Sequence, residues 1–233
     1  LGFSQQRIGL LYGTIDDENV THCEVIYEPP QNGSHDVYSL NSAEESGDIN
    51  QRADLVAKHL NMKRVGMIFS AKPRKCIFSG IDIVTAAKFA TEFESENGEM
   101  VAPDVGVKAS DFVIICVALA DDGQTLFEAF QLSDQCLEMY RTGIFRDVEE
   151  QKPNSGRVKV RDAVLVEGKE TFSVHTEFFL INVPIRGHDS WLRTSFPVEN
   201  RELRPQQPTD LSVSMKKLSE APFYKQISDY HLL

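Results

Sequence analysis

The sequence predicts an α/β fold. A mixed sheet with flanking helices is expected over residues 1–147, and a β-rich domain ending in helices over residues 148–233. Apolar runs of strand length alternate with helical periodicity in the order β-β-α-β-α-β-β-α over roughly the first 145 residues. A charged stretch with proline and glycine, 147–157, separates this pattern from three further β-rich stretches. The length of 233 residues is sufficient to bury a sizeable core.

The first strands and the first helix follow from local patterning. Residues 7–13 (RIGLLYG) are a buried apolar run closed by glycine, and residues 22–28 (HCEVIYE) alternate until two prolines stop them. A polar turn between these runs favours their pairing. Residues 31–48 are polar and predict a loop, which leads into a helix over 48–61 and a short strand over 65–69.

The alternation continues with a helix over 79–96, whose apolar residues recur at helical spacing. Strands over 112–120 and 125–132 flank Asp122-Gly123, a strong hairpin signal. A helix then opens at Ser133-Asp134. In the second domain we expect β-rich stretches over 158–165, 178–185 and 190–198, a proline-rich segment over 204–208 and a C-terminal pair of helices.

Composition excludes several classes of partner. The net charge is -11 and the isoelectric point is about 5.0, so the surface repels phosphates and anionic lipid. No apolar run approaches the ~18 residues of a membrane span. We therefore expect neither nucleic-acid binding nor membrane insertion. The four cysteines form no C-x-x-C pair, which disfavours a disulfide framework or structural zinc and fits a reducing compartment.

Two short motifs share the spacing of a known catalytic frame. Residues 9–13 read G-L-L-Y-G, residues 79–82 read S-G-I-D, and seven residues separate Ala71 from Ser79. In this frame the chain resembles the zinc-dependent JAMM/MPN deubiquitinases. Those enzymes carry a glutamate three residues before G-L-L-x-G, and an H-x-H pair before S-x-x-D. The resemblance implies an MPN-type mixed sheet.

The residues that would carry the chemistry are absent from this frame. Gln6 stands at the glutamate position, and Phe69 and Ala71 stand at the two histidine positions, while Ser79 and Asp82 are retained. A catalytic zinc needs about three protein ligands and a carboxylate base for its water. A single carboxylate cannot hold the ion, and the six histidines are dispersed. We therefore predict a degenerate JAMM site with no metal, no cofactor and no enzymatic activity.

Ser79 and Asp82 also have a purely structural interpretation. A serine at the N-cap with an acidic residue three positions later approximates a capping box at the start of the predicted helix. We favour this interpretation of both residues over a residual catalytic role.

A closer resemblance spans nearly the whole chain. The chain is similar to the nuclear protein localization protein 4 family, which comprises ubiquitin-recognition cofactors of the Cdc48/valosin-containing AAA ATPase. The segments that carry the similarity occur in family order at residues 2–7 with 11–13, 26–31, 127–136, and 196–201 with 227–233.

This resemblance implies an inactive MPN domain followed by a C-terminal domain, without the family's ubiquitin-like domain and zinc fingers. The implied function is a non-catalytic adaptor that recruits substrates to an AAA unfoldase in ubiquitin-dependent degradation, including ER-associated degradation. Implied partners are a segment of ubiquitin fusion degradation protein 1, unfolded ubiquitin, polyubiquitin, and the ATPase through the full-length protein. Implied locations are the cytoplasm, the nucleus and, peripherally, the ER surface.

Residues 70–78 are short beside family members that carry an insertion there, and ubiquitin contacts through such an insertion are not expected. The peptide-binding residues stay unassigned by sequence, although a free sheet edge would suit strand addition. Two alternatives remain open: a divergent metal-dependent isopeptidase, and a structural MPN subunit that pairs with an active JAMM protein.

Overall fold

The computed structural model describes residues 5–41, 43–72, 74–97, 107–119, 122–201 and 204–233. The described chain forms two compact units, each assembled from separated stretches of sequence. The first unit holds the described residues up to Arg7, with 34–37 and 66–185; the second holds 8–33, 38–65 and 186–233. A mixed six-stranded sheet contributes strands to both units, which confirms the predicted α/β class.

The strands are β1 (Ile8–Ile15), β2 (Thr21–Tyr27), β3 (Gln31–Gly33), β4 (Tyr38–Leu40), β5 (Lys63–Ala71), β6 (Val113–Leu119), β7 (Thr125–Leu132), β8 (Arg157–Val166), β9 (Lys169–His175) and β10 (Leu180–Val183). The helices are α1 (Ala43–His59), α2 (Gly80–Asn97), α3 (Asp134–Arg141), α4 (Pro208–Lys217) and α5 (Phe223–Gln226). No helix in the described part of the chain is long and apolar enough to cross a membrane.

The sheet of the first unit has the strand order β10-β7-β6-β5. β5 and β6 are parallel, whereas β6, β7 and β10 pair antiparallel in turn. A parallel pair needs a long crossover, and α2 lies in the connection between β5 and β6. Apolar side chains cover most sides of α2, as expected of a helix enclosed by its own unit. Those buried are Ile81, Ile83, Val84, Ala86, Ala87, Phe89, Ala90 and Phe93.

The second unit contains the antiparallel pair of β1 and β2, whose register shifts between Tyr12 and Gly13. A side chain at Gly13 would place its Cβ 1.8 Å from the carbonyl oxygen of His22, so only glycine fits this position. Gln31 extends the pairing through its side chain: it accepts from the Ile8 N–H at 2.8 Å and donates to the Ile8 carbonyl at 2.7 Å.

Several elements differ from the sequence prediction. The predicted loop over 31–48 contains β3 and β4, two three-residue strands that exist only through their mutual pairing, and α1 already begins at Ala43. β9 was not predicted, because its polar side chains mask the alternation of a hairpin arm. Only four residues of the predicted stretch over 178–185 form a strand, β10.

The expected β-rich stretch over 190–198 forms no regular strand, although an isolated bridge joins Arg193 to Asp229. The Asp229 carboxylate accepts hydrogen bonds from the backbone N–H groups of Ser195 at 2.6 Å and Phe196 at 2.8 Å. A side chain therefore takes the place of a strand partner here. Both compact units include residues from before and after 147, and the domain boundary at that position stays a prediction.

Candidate functional site

The two β5 positions that the sequence predicts to be degenerate metal-ligand positions share one face of the sheet. Phe69 and Ala71 are two residues apart on a strand, so both side chains point to the same side, and both are buried. Each of these two positions lies in register with a residue on β6 and a residue on β7, so each begins a row across the sheet of the first unit. The two resulting rows are Phe69, Cys116 and Glu128, and Ala71, Ala118 and Leu126.

A pocket of about 380 Å³ opens over the second row, toward the carboxyl ends of the parallel strands. The small side chains of Ala71 and Ala118 leave space there that larger residues would fill. Both rows contribute to the lining, apart from Phe69, and the rest of the lining is Lys72, Arg74, Lys75, Cys76, Ile77 and Leu119. The frame that resembles a catalytic site thus retains an open cavity.

Gln6 precedes Arg7, which bonds to Ser70 on β5. The Ser70 N–H donates to the Arg7 carbonyl at 2.8 Å, and the Arg7 N–H donates to Ser70 Oγ at 2.9 Å. Gln6 is buried, and no described residue provides a hydrogen-bond partner for its Nε2. Residues 2–4 of the family-like segment lie outside the described residues. A neutral amide at position 6 cannot accept a proton from a water as a carboxylate does.

Ser79 and Asp82 form a reciprocal cap at the start of α2. Asp82 Oδ2 accepts from the Ser79 N–H at 2.7 Å and from Ser79 Oγ at 2.8 Å. The Asp82 N–H donates back to Ser79 Oγ at 3.4 Å. These bonds satisfy backbone groups that a helix start leaves unpaired.

Arg74 contacts two of these residues, Asp82 and Phe69, and the sequence analysis did not predict it. Its Nη2 lies 2.5 Å from Asp82 Oδ2, and its guanidinium carbon lies 6.0 Å from the centroid of the Phe69 ring. The guanidinium also donates to the carbonyls of Cys76 at 3.0 Å and Ile77 at 2.7 Å. The one available signal was the need of a buried carboxylate for a nearby cation.

Electrostatics favour the charged form of Arg74. Burial opposes the charge of Arg74, but the adjacent Asp82 carboxylate outweighs burial and raises the pKa of the guanidinium above its ordinary value. Both side chains are almost fully buried, with Asp82 1% exposed. The Asp82 carboxylate, at the predicted ligand position, therefore already faces a cation supplied by the protein.

The residues at these positions do not fit the zinc ion of the JAMM frame. Phe69 and Ala71 carry no donor atom, and Asp82 is occupied by Arg74. Within the described ranges, no three or more His, Cys, Asp or Glu side chains are placed to hold a metal.

The two thiols that line the pocket are poor nucleophiles. Burial raises the pKa of Cys116 to about 12 and also raises the pKa of Cys76 above its ordinary value. Both groups are therefore protonated near neutral pH, whereas a nucleophilic cysteine reacts as the thiolate. The arrangement offers an open, partly apolar cavity with cationic residues along it, which suits binding rather than covalent chemistry.

The sequence of this chain is similar to those of known proteins. The model of the NPL4 family matches residues 7–164. The chain is 35% identical to an NPL4-like protein of Oryza sativa subsp. japonica and 31% identical to NPL4-like protein 1 of Arabidopsis thaliana, over 100% of this chain in each case. It is 30% identical to a nuclear protein localization protein 4 homolog of Dictyostelium discoideum over 99% of this chain.

The matches cover 55%, 54% and 37% of those three relatives, so the chain spans about half the length of the two plant proteins and less of the third. The family model covers more than half of this chain and includes the β5 and α2 positions of the site. The chain belongs to the NPL4 family.

Proposed function

We propose that this chain is a non-catalytic adaptor that binds ubiquitin and recruits substrates to the Cdc48/valosin-containing AAA unfoldase. Its pathway would be ubiquitin-dependent protein degradation, including ER-associated degradation. The partners would be a segment of ubiquitin fusion degradation protein 1, unfolded ubiquitin and polyubiquitin. The work would take place in the cytoplasm, in the nucleus and peripherally at the ER surface.

The observation that carries this proposal is the ion pair between Arg74 and Asp82. The last carboxylate of the catalytic frame is neutralised by a side chain of the same chain, 2.5 Å away. The cavity beside it nevertheless stays open, at about 380 Å³. A site that keeps its cavity but has no metal ligands and no base is suited to hold a chain segment without cleaving it.

The ATPase contact belongs to the full-length protein in this proposal. The chain spans only part of its relatives, and its own role would be the binding of peptide and ubiquitin. Strand addition to a sheet edge supports such binding, because backbone hydrogen bonds provide affinity and alternate side chains provide specificity.

Calorimetry with overlapping synthetic peptides from ubiquitin fusion degradation protein 1 and from ubiquitin tests the proposal. We expect saturable binding of at least one peptide, with a negative heat-capacity change from apolar burial. Salt dependence should be weak, because backbone hydrogen bonds and apolar contacts are little screened. Scrambled peptides of equal composition serve as controls.

A complete lack of binding across both peptide sets would contradict the proposal, as would binding that a modest rise in salt abolishes. A pull-down from lysate separates it from the scaffold alternative. An adaptor should capture ubiquitin fusion degradation protein 1 and ubiquitin conjugates, whereas a scaffold subunit should capture an active JAMM protein.

A further inference from the structure

The outer edge of β7 is paired over only half its length. On one side, β6 pairs with residues 125–130 of β7; on the other side, β10 pairs only with residues 129–132. In the part of the chain that the structure describes, no strand pairs with residues 125–128 on that second side. Their backbone groups on this side can therefore pair with an added strand.

Along β7, side-chain exposure falls at the first residue that pairs with β10. Residues 125–128 are all exposed, and Phe127 is 58% exposed, whereas Ala129 is 7% exposed. β10 ends at Val183, and Pro184 follows it. Proline has no N–H to donate, so it terminates the pairing and leaves the rest of the β7 edge uncovered.

The pocket lies beside this uncovered edge. Leu126 and Glu128 belong both to the exposed half of β7 and to the pocket lining. Phe127 points to the opposite face of the sheet, next to Val117 on β6. An extended chain laid along residues 125–128 would thus direct alternate side chains toward the pocket and toward Phe127.

The charges of the pocket lining favour one type of peptide side chain on the pocket side. The lining contains three cationic residues and one acidic residue, Glu128. Lys72 is paired with Asp36 and Arg74 with Asp82, while Lys75 is exposed and makes no ion pair with any described residue. An acidic side chain of the incoming peptide would therefore find its counter-charge at Lys75.

We propose that the uncovered half of β7, residues 125–128, is the docking edge for an extended peptide that carries an apolar side chain over Phe127 and an acidic side chain toward the pocket. This inference rests on the proposed peptide-binding function and assigns it a place and a ligand chemistry. β2, an outer strand in the second unit, is less accessible than this edge of β7. Asn200 donates to the Glu28 carbonyl just beyond β2 at 2.8 Å, and His188 pairs with Glu24 at 2.9 Å.

The test measures the dissociation constants of the full chain for the tightest peptide of the two peptide sets. The chain variants are Phe127→Ser and Lys75→Glu, both at exposed positions, where we expect folding to be unaffected. Phe172→Ser on β9 is the matched control, because Phe172 is 62% exposed in the same unit and away from the pocket lining. Far-UV circular dichroism verifies that each variant is folded.

We expect Phe127→Ser and Lys75→Glu each to weaken binding at least tenfold, and Phe172→Ser to leave it within twofold. Replacing the acidic residue of the peptide with lysine should restore affinity for Lys75→Glu. In an extended peptide, every second backbone nitrogen faces the β7 edge. N-methylation of those nitrogens should abolish pairing with the strand, whereas N-methylation of the intervening nitrogens should not.

Binding that both β7-side variants leave within twofold would overturn the docking edge while the peptide-binding function stands. Binding that N-methylation leaves unchanged on both registers would overturn strand addition at this edge. If no peptide of either set binds the unmodified chain, the proposed function itself fails, and the docking edge with it.

Discussion

Arg74 Nη2 lies 2.5 Å from Asp82 Oδ2, and both side chains are buried inside the first unit. The same guanidinium binds two backbone carbonyls and lies over the Phe69 ring. A charged group of the protein therefore neutralises the carboxylate that a metal would need. This arrangement satisfies the buried carboxylate without a metal ion.

Breaking this ion pair should destabilise the fold. Arg74→Met leaves a buried carboxylate without its cation, which costs about 3–5 kcal/mol of unfolding free energy. Adding Asp82→Asn should recover part of that loss, because a neutral amide needs no counter-charge. Urea unfolding gives the comparison. Arg141→Met is the control, since its pair with Glu94 is more than one-third exposed and should contribute under about 1 kcal/mol.

A cost of Arg74→Met no larger than that of Arg141→Met would contradict the structural role of the buried pair.

The cap of α2 should contribute to the stability of the fold and not to partner binding. Ser79→Ala removes the hydroxyl that bonds Asp82 and should cost ~1 kcal/mol of unfolding free energy. Peptide affinity should stay within twofold. Ser95→Ala, on the exposed side of the same helix, should change stability by less than about 0.5 kcal/mol. The capping account is wrong if Ser79→Ala leaves melting unchanged and abolishes binding.

The buried thiol of the pocket should resist alkylation. Burial raises the pKa of Cys116 from 9.0 to about 12, so its thiolate fraction at pH 8 falls about a thousandfold below that of an unfolded thiol. Mass spectrometry after iodoacetamide treatment should show Cys116 unmodified in the folded chain and modified in guanidinium. Equal rates in the two states would contradict this.

The raised pKa of Cys116 should also lower the stability of the fold at alkaline pH. A pKa raised on folding means that the folded thiol keeps its proton while the unfolded thiol ionises, so stability falls as pH rises from 9.0 toward about 12. Cys116→Ala should flatten this part of the profile relative to the unmodified chain.

The purified chain should contain no stoichiometric zinc and should not cleave polyubiquitin. Phe69 and Ala71 carry no ligand atoms, Gln6 cannot act as a base, and Asp82 is paired with Arg74. Elemental analysis and a cleavage assay with and without chelator measure both properties. An active zinc-dependent JAMM enzyme is the positive control. Stoichiometric zinc, or cleavage that a chelator stops, would favour the isopeptidase alternative.

Residue type and local order determined much of this protein by sequence alone. The apolar runs of β1, β5 and β6 and the periodicity of α2 are local patterns, so their positions follow from hydrophobic spacing. The cap joins Ser79 and Asp82, which are three positions apart, and is likewise local. The absence of metal-ligating side chains at positions 69 and 71 is a property of residue type, which needs no structure to recognise.

Tertiary structure decided what depends on register and on distant partners. The pocket exists because Ala71 on β5 meets Ala118 and Leu126 on the hairpin of β6 and β7, which is distant from β5 in sequence. The uncovered half of β7 exists because the four residues of β10 pair only with residues 129–132, a register that local sequence does not show. Arg74 was unremarkable in sequence, since nothing local shows which cation a buried carboxylate will meet. Side-chain pairs of this kind depend on how the chain returns to itself, and only the folded chain brings them together.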